Sequence, residues 1–453
     1  MKRMCCAGCL GLLLFLRLVL PLAAQGAQGA QGAQSAPDKP PVENKFDLYF
    51  WERVRQESWD NTTGLNDSGF DSVSYMRLRT SLGAHWRPGR DWEVHLRLTN
   101  ENRLYLAPKF DPRLKTDFNG HEIFFDQLNV RWRNPGRLPL TVTLGRQDLM
   151  LGEGFLFMDG GPLDGSRSAY FNGLRLDYAL KNKNNLTFFF VRQPRSDTLL
   201  PVINDKHQAM VEQEEQGVGF YFSGRAKQTG LEAYLFRKDT FAYLQRPAGA
   251  IHVAGGRLVH PFTAKLALTA EAALQLGTLG EEARRGLGGY FHLDHKSGWR
   301  FPLPALLTLG GIYLSGDDPA TPRHEGWDAA FSRWPKWSDS LIYMQVVGTR
   351  PAEWTNFISL YAALMLEPAE LIKLNLTWHH LTAPEAPVPT ALLGGAGKRR
   401  GDLLIAKVTY DVSKHLAGRL IWEHFRPGDF FIPYYGPTPD PYHWIQFELF
   451  FRF

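Results

Sequence analysis

The chain ends in YHWIQFELFFRF, residues 442–453. One face of this stretch is largely apolar and consists of His443, Ile445, Phe447, Leu449, Phe451 and Phe453. The other face consists of Trp444, Gln446, Glu448, Phe450 and Arg452. Such alternation with a period of two is typical of a β-strand between two different environments. The stretch therefore predicts a terminal strand with one apolar face and one face toward water.

The same alternation recurs along most of the chain, for example over residues 91–103 and 371–380. No apolar run reaches the roughly 18 residues that a membrane helix needs. A closed sheet is then the membrane-spanning structure that remains. We predict an all-β fold, a single antiparallel transmembrane β-barrel of about 18 strands. The strands are expected near residues 46–57, 73–86, 91–103, 121–132, 140–151, 170–180, 185–193, 216–225, 229–239, 251–259, 263–276, 286–293, 305–315, 354–366, 371–380, 402–412, 415–425 and 442–453.

The connections between these strands alternate between short and long. Residues 87–90, 181–184 and 367–370 are short, whereas 104–120, 194–215 and 316–353 are long. Short turns on the periplasmic side and long loops on the outer side are the rule in outer-membrane barrels, and a soluble β-sandwich has no reason to follow it. The pattern thus predicts location in the bacterial outer membrane, with the first strand paired to the C-terminal strand.

The N-terminal region is predicted to lie outside the barrel. Residues 1–24 combine Lys2 and Arg3 with an apolar stretch and small residues, which is typical of a cleaved signal peptide. All three cysteines fall in this segment. Its removal lowers the net charge from +5 to about +2, so global charge does not favour nucleic acid as a partner. Residues 25–45 are predicted to be a repetitive, flexible linker, and residues 46–453 are predicted to form the barrel.

Alternation also assigns the inward side chains. Strands one to four place seven arginines and four carboxylates inside. Fixed guanidinium groups in a pore favour anions. The alternative is that these arginines pair with neighbouring carboxylates and brace the wall, and the sequence leaves both open. The candidate pore-lining and substrate residues are Arg53, Arg55, Arg77, Arg79, Arg97, Arg103, Gln127, Asn129, Arg131 and Arg175.

The longest loop, residues 316–353, is a candidate gate. Asp317, Asp318, Trp334 and Trp337 are its candidate residues. The loop could fold into the pore or stay outside. Asp317 and Asp318 could bind Ca²⁺ through their oxygens, but a turn at the strand end explains them as well and is favoured.

Short motifs resemble the bacterial alginate export family. They are Leu144-Gly145-Arg146-Gln147-Asp148-Leu149 with Gly152, then Ser315-Gly316-Asp317-Asp318, and Phe331 to Tyr343 with Trp334, Pro335 and Trp337. The stretches Phe46 to Glu57 and Ser74 to Arg103 agree. The resemblance implies a monomeric, eighteen-stranded barrel whose Arg-rich pore conducts a polyuronate. Alternation puts Arg146 on the outward face, so it reaches the lumen only with a bulge at Gly145 or a position near the rim.

We expect a channel that passes anionic poly- or oligosaccharide by diffusion, without a cofactor or metal. Its expected partners are outer-membrane lipid, the anionic saccharide and the outer-membrane assembly machinery, which would recognise the C-terminal strand. A general or small-anion porin is the alternative. An outer-membrane hydrolase is less favoured, because it needs a Ser–His pair oriented by a third polar group. His379 and His380 are adjacent, so on a strand they face opposite sides.

Overall fold

Eighteen long strands form the described part of the barrel. The computed structural model describes residues 44–61, 65–67, 72–107, 118–119, 122–158, 171–297, 305–332, 337–340, 342, 354–387 and 397–453. The strands are β1 Lys45–Asp60, β2 Val73–Arg87, β3 Trp92–Ala107, β4 Ile123–Arg133, β5 Leu140–Gln147, β6 Phe171–Ala179, β7 Asn185–Gln193, β8 Glu215–Ala226, β9 Thr229–Thr240, β10 Gly249–Pro261, β11 Leu266–Leu279, β12 Glu282–Lys296, β13 Ala305–Leu314, β14 Phe357–Ala369, β15 Ile372–Thr382, β16 Arg399–Ser413, β17 Leu416–Pro427 and β18 Tyr442–Arg452. This confirms the predicted all-β fold and strand number.

Each strand pairs antiparallel with the next, and β1 pairs antiparallel with β18. The closing register runs from Trp51 opposite Arg452 to Asp60 opposite His443. Reciprocal backbone hydrogen bonds of 2.9 Å join Phe50 and Phe453 just beyond it. The sheet is therefore closed, and the terminal strand has the partner that its alternation predicted.

Short elements lie in the connections. The two-residue strands are Phe118–Asn119, Phe157–Met158, Val202–Ile203 and Phe331–Ser332. The 3₁₀ helices are Pro135–Arg137, Lys181–Lys183 and Asp429–Phe431, followed by the α-helix Ile432–Tyr435. None of the helices in the described ranges is long and apolar enough to cross a membrane.

The two ends of the barrel differ. At one end, here called the turn end, β2 joins β3 through residues 88–91 and β8 joins β9 through 227–228. At the other, the loop end, the connections are mostly long, although β11 and β12 are joined there by only 280–281. The predicted sorting of short and long connections is thus present. The predicted signal peptide lies outside the described residues, as does the predicted linker up to position 43.

The outer face of the barrel is an apolar belt. Leu48, Leu82 and Leu144 are 53–66% exposed although they are large and apolar. Aromatic side chains gather near the turn end, where the rings of Trp92 and Trp132 stack with centroids 5.0 Å apart. Such a belt with interfacial aromatics is the surface that a barrel presents to lipid.

One carboxylate interrupts the belt near the middle of β1. Glu52 faces outward between Phe50 and Val54, and it accepts a hydrogen bond of 2.6 Å from the Thr80 hydroxyl on β2. Thr80 is itself paired with Asn100 on β3. The outer surface of the first three strands therefore carries a small polar patch.

Candidate functional site

The inner face of the first four strands and β18 carries a network of charged side chains, here called the arginine grid. It consists of Arg53, Arg55, Glu57, Arg77, Arg79, Arg97, Glu101, Asp126 and Glu448. Their residue exposures range from 0% for Arg53 to 8% for Glu101. Arg103 continues the network toward the loop end, where it donates to the Tyr105 hydroxyl at 3.1 Å and lies over the Tyr75 ring.

Glu101 is a junction of the grid. Its carboxylate oxygens lie 2.9 Å from the guanidinium nitrogens of Arg53 and Arg77, and 3.3 Å from that of Arg79. Arg77 also pairs with Glu57 at 3.0 Å. A carboxylate shared among several cations recovers part of the desolvation cost of burying these charges. For these arginines, the structure supports the wall-bracing alternative.

Glu448 extends the grid across the closing seam. Its Oε2 atom lies 2.6 Å from Nε of Arg55 and 3.9 Å from that of Arg53, both on β1. Its Oε1 atom pairs with Arg419 on β17 at 2.9 Å. The grid therefore joins the first strand to the last two through charged side chains as well as through the backbone.

Strand β4 departs from strict alternation. Arg97 pairs with Gln127, whereas the next residue, Leu98, pairs with Phe125, so that Asp126 is an extra residue in β4. Such a bulge turns two successive side chains to one face. Asp126 and Gln127 are both buried on the inner face, while Phe125 shares the outward face of Leu98. Strict alternation from Gln127 would place Phe125 in the lumen, and the bulge turns it outward instead.

The bulge changes the predicted charge balance. Asp126 pairs with Arg97 at 2.6 Å and with Arg79 at 3.3 Å, and its side chain is 1% exposed. It is a fifth carboxylate beside the four that alternation assigned to these strands, and Glu448 contributes another from β18. The arginines on these strands still outnumber the carboxylates, but the buried ones among them are paired with carboxylates.

The motif around Gly145 forms a second irregular point. Gly145 has a φ of +117°, and a Cβ there would lie 2.3 Å from a backbone carbonyl of β4. Arg146, which follows this kink, is only 1% exposed although alternation puts it on the outward face. Its guanidinium binds Asp197 with two hydrogen bonds of 2.7 and 2.9 Å. Asn129 donates to the Arg146 carbonyl at 2.9 Å, so it supports this kink.

The loop after β5, residues 148–158, folds against the inner wall. It begins at Asp148, which accepts a hydrogen bond from Gln127. Glu153 then pairs with Arg257 on β10 at 3.0 Å and with His292 on β12 at 3.4 Å. Since both partners belong to the inner face, this loop occupies part of the barrel interior.

The described part of the loop after β13 also folds inward, in agreement with the first of the two alternatives for residues 316–353. Asp328 pairs with Lys238 on β9 and Arg284 on β12, both at 3.1 Å. Burial alone would raise the pKa of Asp328, but these two cations outweigh it and hold the pKa well below its ordinary range. The loop is therefore fixed to the wall by an ionised carboxylate.

A second acidic anchor lies further along this loop. Asp339 pairs with Lys407 on β16 at 2.6 Å and with Arg419 on β17 at 3.0 Å. Burial would raise the pKa of Asp339, but the charges of Lys407 and Arg419 lower it to about 2. Beside it, Glu423 accepts the Asp339 amide at 2.9 Å and the Ser338 hydroxyl at 3.0 Å.

The two inward loops contact each other through aromatic side chains. Phe157–Met158 and Phe331–Ser332 pair as short parallel strands. The rings of Phe157 and Phe331 lie 4.7 Å apart, and those of Phe155 and Trp327 stack at 5.2 Å. The described parts of both loops form one packed body that narrows the interior.

The predicted gate residues have different roles. Asp318 accepts the Ala320 amide at 2.9 Å and Asp317 accepts the Glu325 amide at 2.8 Å, so both stabilise turns of the loop. Trp337 belongs to the inward aromatic body, where its ring lies 4.9 Å from that of Trp354. Trp334 lies outside the described residues.

Exposed cations remain nearer the turn end. The side chains of Arg131, Arg133 and Arg175 are 44%, 27% and 32% exposed on the inner face. Arg131 and Arg133 share Glu93, and Arg175 pairs with Asp177 at 2.8 Å. Of the ten candidate pore residues, Arg131 and Arg175 are thus better placed to meet a solute than the buried grid.

A Ser–His pair is present, but it is enclosed. Ser359 Oγ and His379 Nδ1 lie 2.9 Å apart, and the two residues are 0% and 4% exposed. Among the described residues, no carboxylate forms a hydrogen bond with His379. His380 faces outward and bonds Asp402 at 2.9 Å. This arrangement lacks both the access and the third group that a hydrolase would need.

Solved structures share this fold. The chain resembles OccK2 (OpdF) of Pseudomonas aeruginosa, crystallised with glucuronate, at a TM-score of 0.56 and 11% identity over 90% of this chain and 97% of that one. It resembles OpdK of Pseudomonas aeruginosa with vanillate at a TM-score of 0.56 and 11% identity. It also resembles a BenF-like porin from Pseudomonas fluorescens Pf-5 at a TM-score of 0.56 and 12% identity. Each of these two likenesses covers 90% of this chain and 98% of the other.

A scan of family models found no match, and a search of curated proteins found none either. The structural likeness therefore establishes the fold, that of bacterial outer-membrane porins. It does not establish the alginate export family that the short motifs resemble. Two of these proteins were crystallised with a small ligand, and the third is a BenF-like porin.

Proposed function

We propose that this chain is a selective outer-membrane channel for small carboxylated solutes, uronates among them. The inward packing of the two loops carries the proposal. Their anchors, Glu153, Asp328 and Asp339, attach them to separate parts of the inner wall. An interior narrowed in this way brings a solute close to fixed wall charges, whereas an open eighteen-stranded barrel would leave a wide aqueous channel.

The chemistry of the exposed wall supports carboxylated solutes. Arg131, Arg133 and Arg175 offer partly exposed guanidinium groups, whose planar forks match a carboxylate. Two proteins with this fold were crystallised with glucuronate and vanillate, which are both small ring compounds with one carboxylate. The polyuronate that the sequence motifs imply presents the same group on every sugar, so it remains a prediction to be tested alongside monomers.

A flux assay tests the proposal. The purified barrel in liposomes should admit glucuronate faster than glucose, which has a similar size and no charge. Arg131→Ser should reduce this preference, whereas Arg192→Ser, on the outer wall with its side chain 54% exposed, should not. Oligouronates of increasing length would then show whether a polymer passes. Equal rates for glucuronate and glucose would identify a general porin and overturn the proposal.

The predicted recognition of the C-terminal strand by the assembly machinery belongs to this proposal too. The apolar face ending in Phe453, which is 65% exposed, supports it. Truncation of Phe453 should lower the amount of folded barrel in the outer membrane, measured by its mobility on unheated gels. Unchanged folded protein would contradict this role.

A further inference from the structure

A strip of aromatic and imidazole rings lies on the inner wall between the arginine grid and the turn end. It consists of Phe450 on β18, Tyr49 and Trp51 on β1, His85 on β2 and His95 on β3. All five side chains are partly exposed, unlike the grid beside them. Their outward neighbours on the same strands include Leu48 and Phe50, so the strip belongs to the inner face.

The rings form a continuous track across four strands. Centroids of Phe450 and Trp51 are 6.1 Å apart, those of Trp51 and Tyr49 are 5.1 Å apart, and those of Tyr49 and His95 are 5.9 Å apart. The ring of His95 lies 5.2 Å from that of His85. A solute moving along the inner wall here would thus meet one ring after another.

Glycine at position 83 makes this track possible. The Tyr49 ring crosses β2 directly over Gly83, where a Cβ would lie 2.0 Å from the tyrosine Cζ. The ring is held there by a 2.6 Å hydrogen bond between its hydroxyl and His95 Nε2. Tyr49 is therefore laid flat across the wall rather than projecting into the interior.

Guanidinium groups flank the strip. Arg97 lies 5.0 Å from the Trp51 ring centroid, and the exposed Arg452 lies 4.7 Å from that of Phe450. Near the histidines, Glu93 lies 3.9 Å from His85 and 3.3 Å from the partly exposed Arg131. Apolar ring faces and cations thus alternate within one surface.

We infer that this strip is a binding site for cyclic carboxylates, in which the ring of the solute stacks on Trp51 and Tyr49 while its carboxylate meets Arg452 or Arg131. The C–H face of a sugar ring and the face of an aromatic ring both pack favourably on an aromatic surface. This inference rests on the proposed function and specifies its substrate class: ring-shaped carboxylates are retained longer than open-chain ones of equal charge.

Single-channel recording with glucuronate and gluconate tests the inference, since both are six-carbon sugar acids and only glucuronate forms a ring that keeps its carboxylate. Glucuronate should block the current with about two- to tenfold longer residence than gluconate, as expected for one or two stacking contacts. Trp51→Ala should shorten glucuronate events to the gluconate value and leave gluconate events unchanged. Trp86→Ala, an outward-facing residue of β2, is the matched control and should change neither.

Gly83→Ala provides a second variant that displaces the Tyr49 ring without removing it. It should shorten glucuronate events while the barrel keeps its folded mobility on unheated gels. Equal residence of the two acids in the wild type, or a Trp51→Ala effect of the same size on both, would overturn the inference. Failure of the proposed function would give a different result, because in the flux assay neither acid would then enter faster than glucose.

Discussion

The Nε atom of Arg97 donates to Oδ1 of Asp126 at 2.6 Å, and this contact exists because β4 bulges at Asp126. Asp126 also accepts hydrogen bonds from Arg79 and from the Thr99 hydroxyl, at 3.3 and 2.9 Å. One irregular residue thus anchors side chains from β2 and β3. The grid depends on this bulge for its junction at Asp126.

Replacement of Asp126 should be costly. Asp126→Ala leaves the buried guanidinium groups of Arg79 and Arg97 without their shared carboxylate, which typically destabilises a protein by about 3–5 kcal/mol. Urea unfolding in lipid vesicles measures this loss. Asp177→Ala is the control, because its partner Arg175 is 32% exposed and the pair should contribute below about 1 kcal/mol. Equal losses in the two variants would show that the grid is not a structural element.

Gly145 should tolerate no side chain. Gly145→Ala places a Cβ 2.3 Å from a β4 carbonyl at a φ of +117°, so we expect a loss of about 1–3 kcal/mol in the free energy of unfolding. Gly89→Ala, in a short turn where a Cβ would contact nothing within 4 Å, should be neutral. A neutral Gly145→Ala would mean that the kink before Arg146 is not required.

The acidic anchors should control the width of the channel. Asp339→Asn removes the charge that pairs with Lys407 and Arg419, so the loop should detach more often and single-channel conductance should rise or fluctuate more. Asp318→Asn removes a charge from the same loop at a turn, with no ion pair to the wall, and should leave the conductance unchanged. If both variants conduct like the wild type, Asp339 does not hold the loop.

This anchor also has a defined pH dependence. The pKa of Asp339 falls from its ordinary value of 3.8 to about 2, so its ionised form favours the docked loop. The contribution of the ionised carboxylate to docking of the loop is fully present above about pH 4 and is lost as the pH falls through 2. The conductance difference between the wild type and Asp339→Asn should therefore stay constant between pH 7 and 4 and be smallest near pH 2. A difference that disappears near pH 6 would contradict this assignment.

The outward carboxylate Glu52 should reduce stability in the membrane. A charged group on the lipid face costs most near the middle of the bilayer and little near its edge. Glu52→Leu should therefore raise the free energy of unfolding in vesicles by about 1–2 kcal/mol. Asp60→Leu, at the loop end of the same outward face, should change it less. Destabilisation by Glu52→Leu would show that the bond to Thr80 outweighs the burial of charge.

Much of the barrel could be predicted from the sequence because a strand between lipid and water must alternate. The faces of β18, including buried Trp444 and Glu448 opposite exposed Ile445, followed directly from that period. The bulge in β4 did not follow, since a single extra residue reverses the faces assigned on one side of it, here that of Phe125. The adjacent polar residues Asp126 and Gln127 were its only trace in the sequence.

The sequence predicted which types of residue line the candidate site, but it did not predict which residues contact each other. Arg53, Arg77 and Arg79 were expected inside, yet their partner Glu101 could only be identified once the strand register was known. The inward position of the longest loop depends on Asp328 and Asp339 meeting cations far away in the chain. Alternation within a strand carries no information about such long-range pairs.

The seam between β1 and β18 has a consequence for the order of events in biogenesis. Arg55 and Glu448 are separated by 393 residues, so their 2.6 Å pair can form only after every intervening strand has been added. Long-range closure of this kind is the slow step of a folding reaction. Until then, two arginines of the first strand lack their final partner. Pairing of the last strand with the first thus neutralises the charge of these arginines and removes the open edge of the sheet. Closure of the sheet is therefore the step that completes the mature protein.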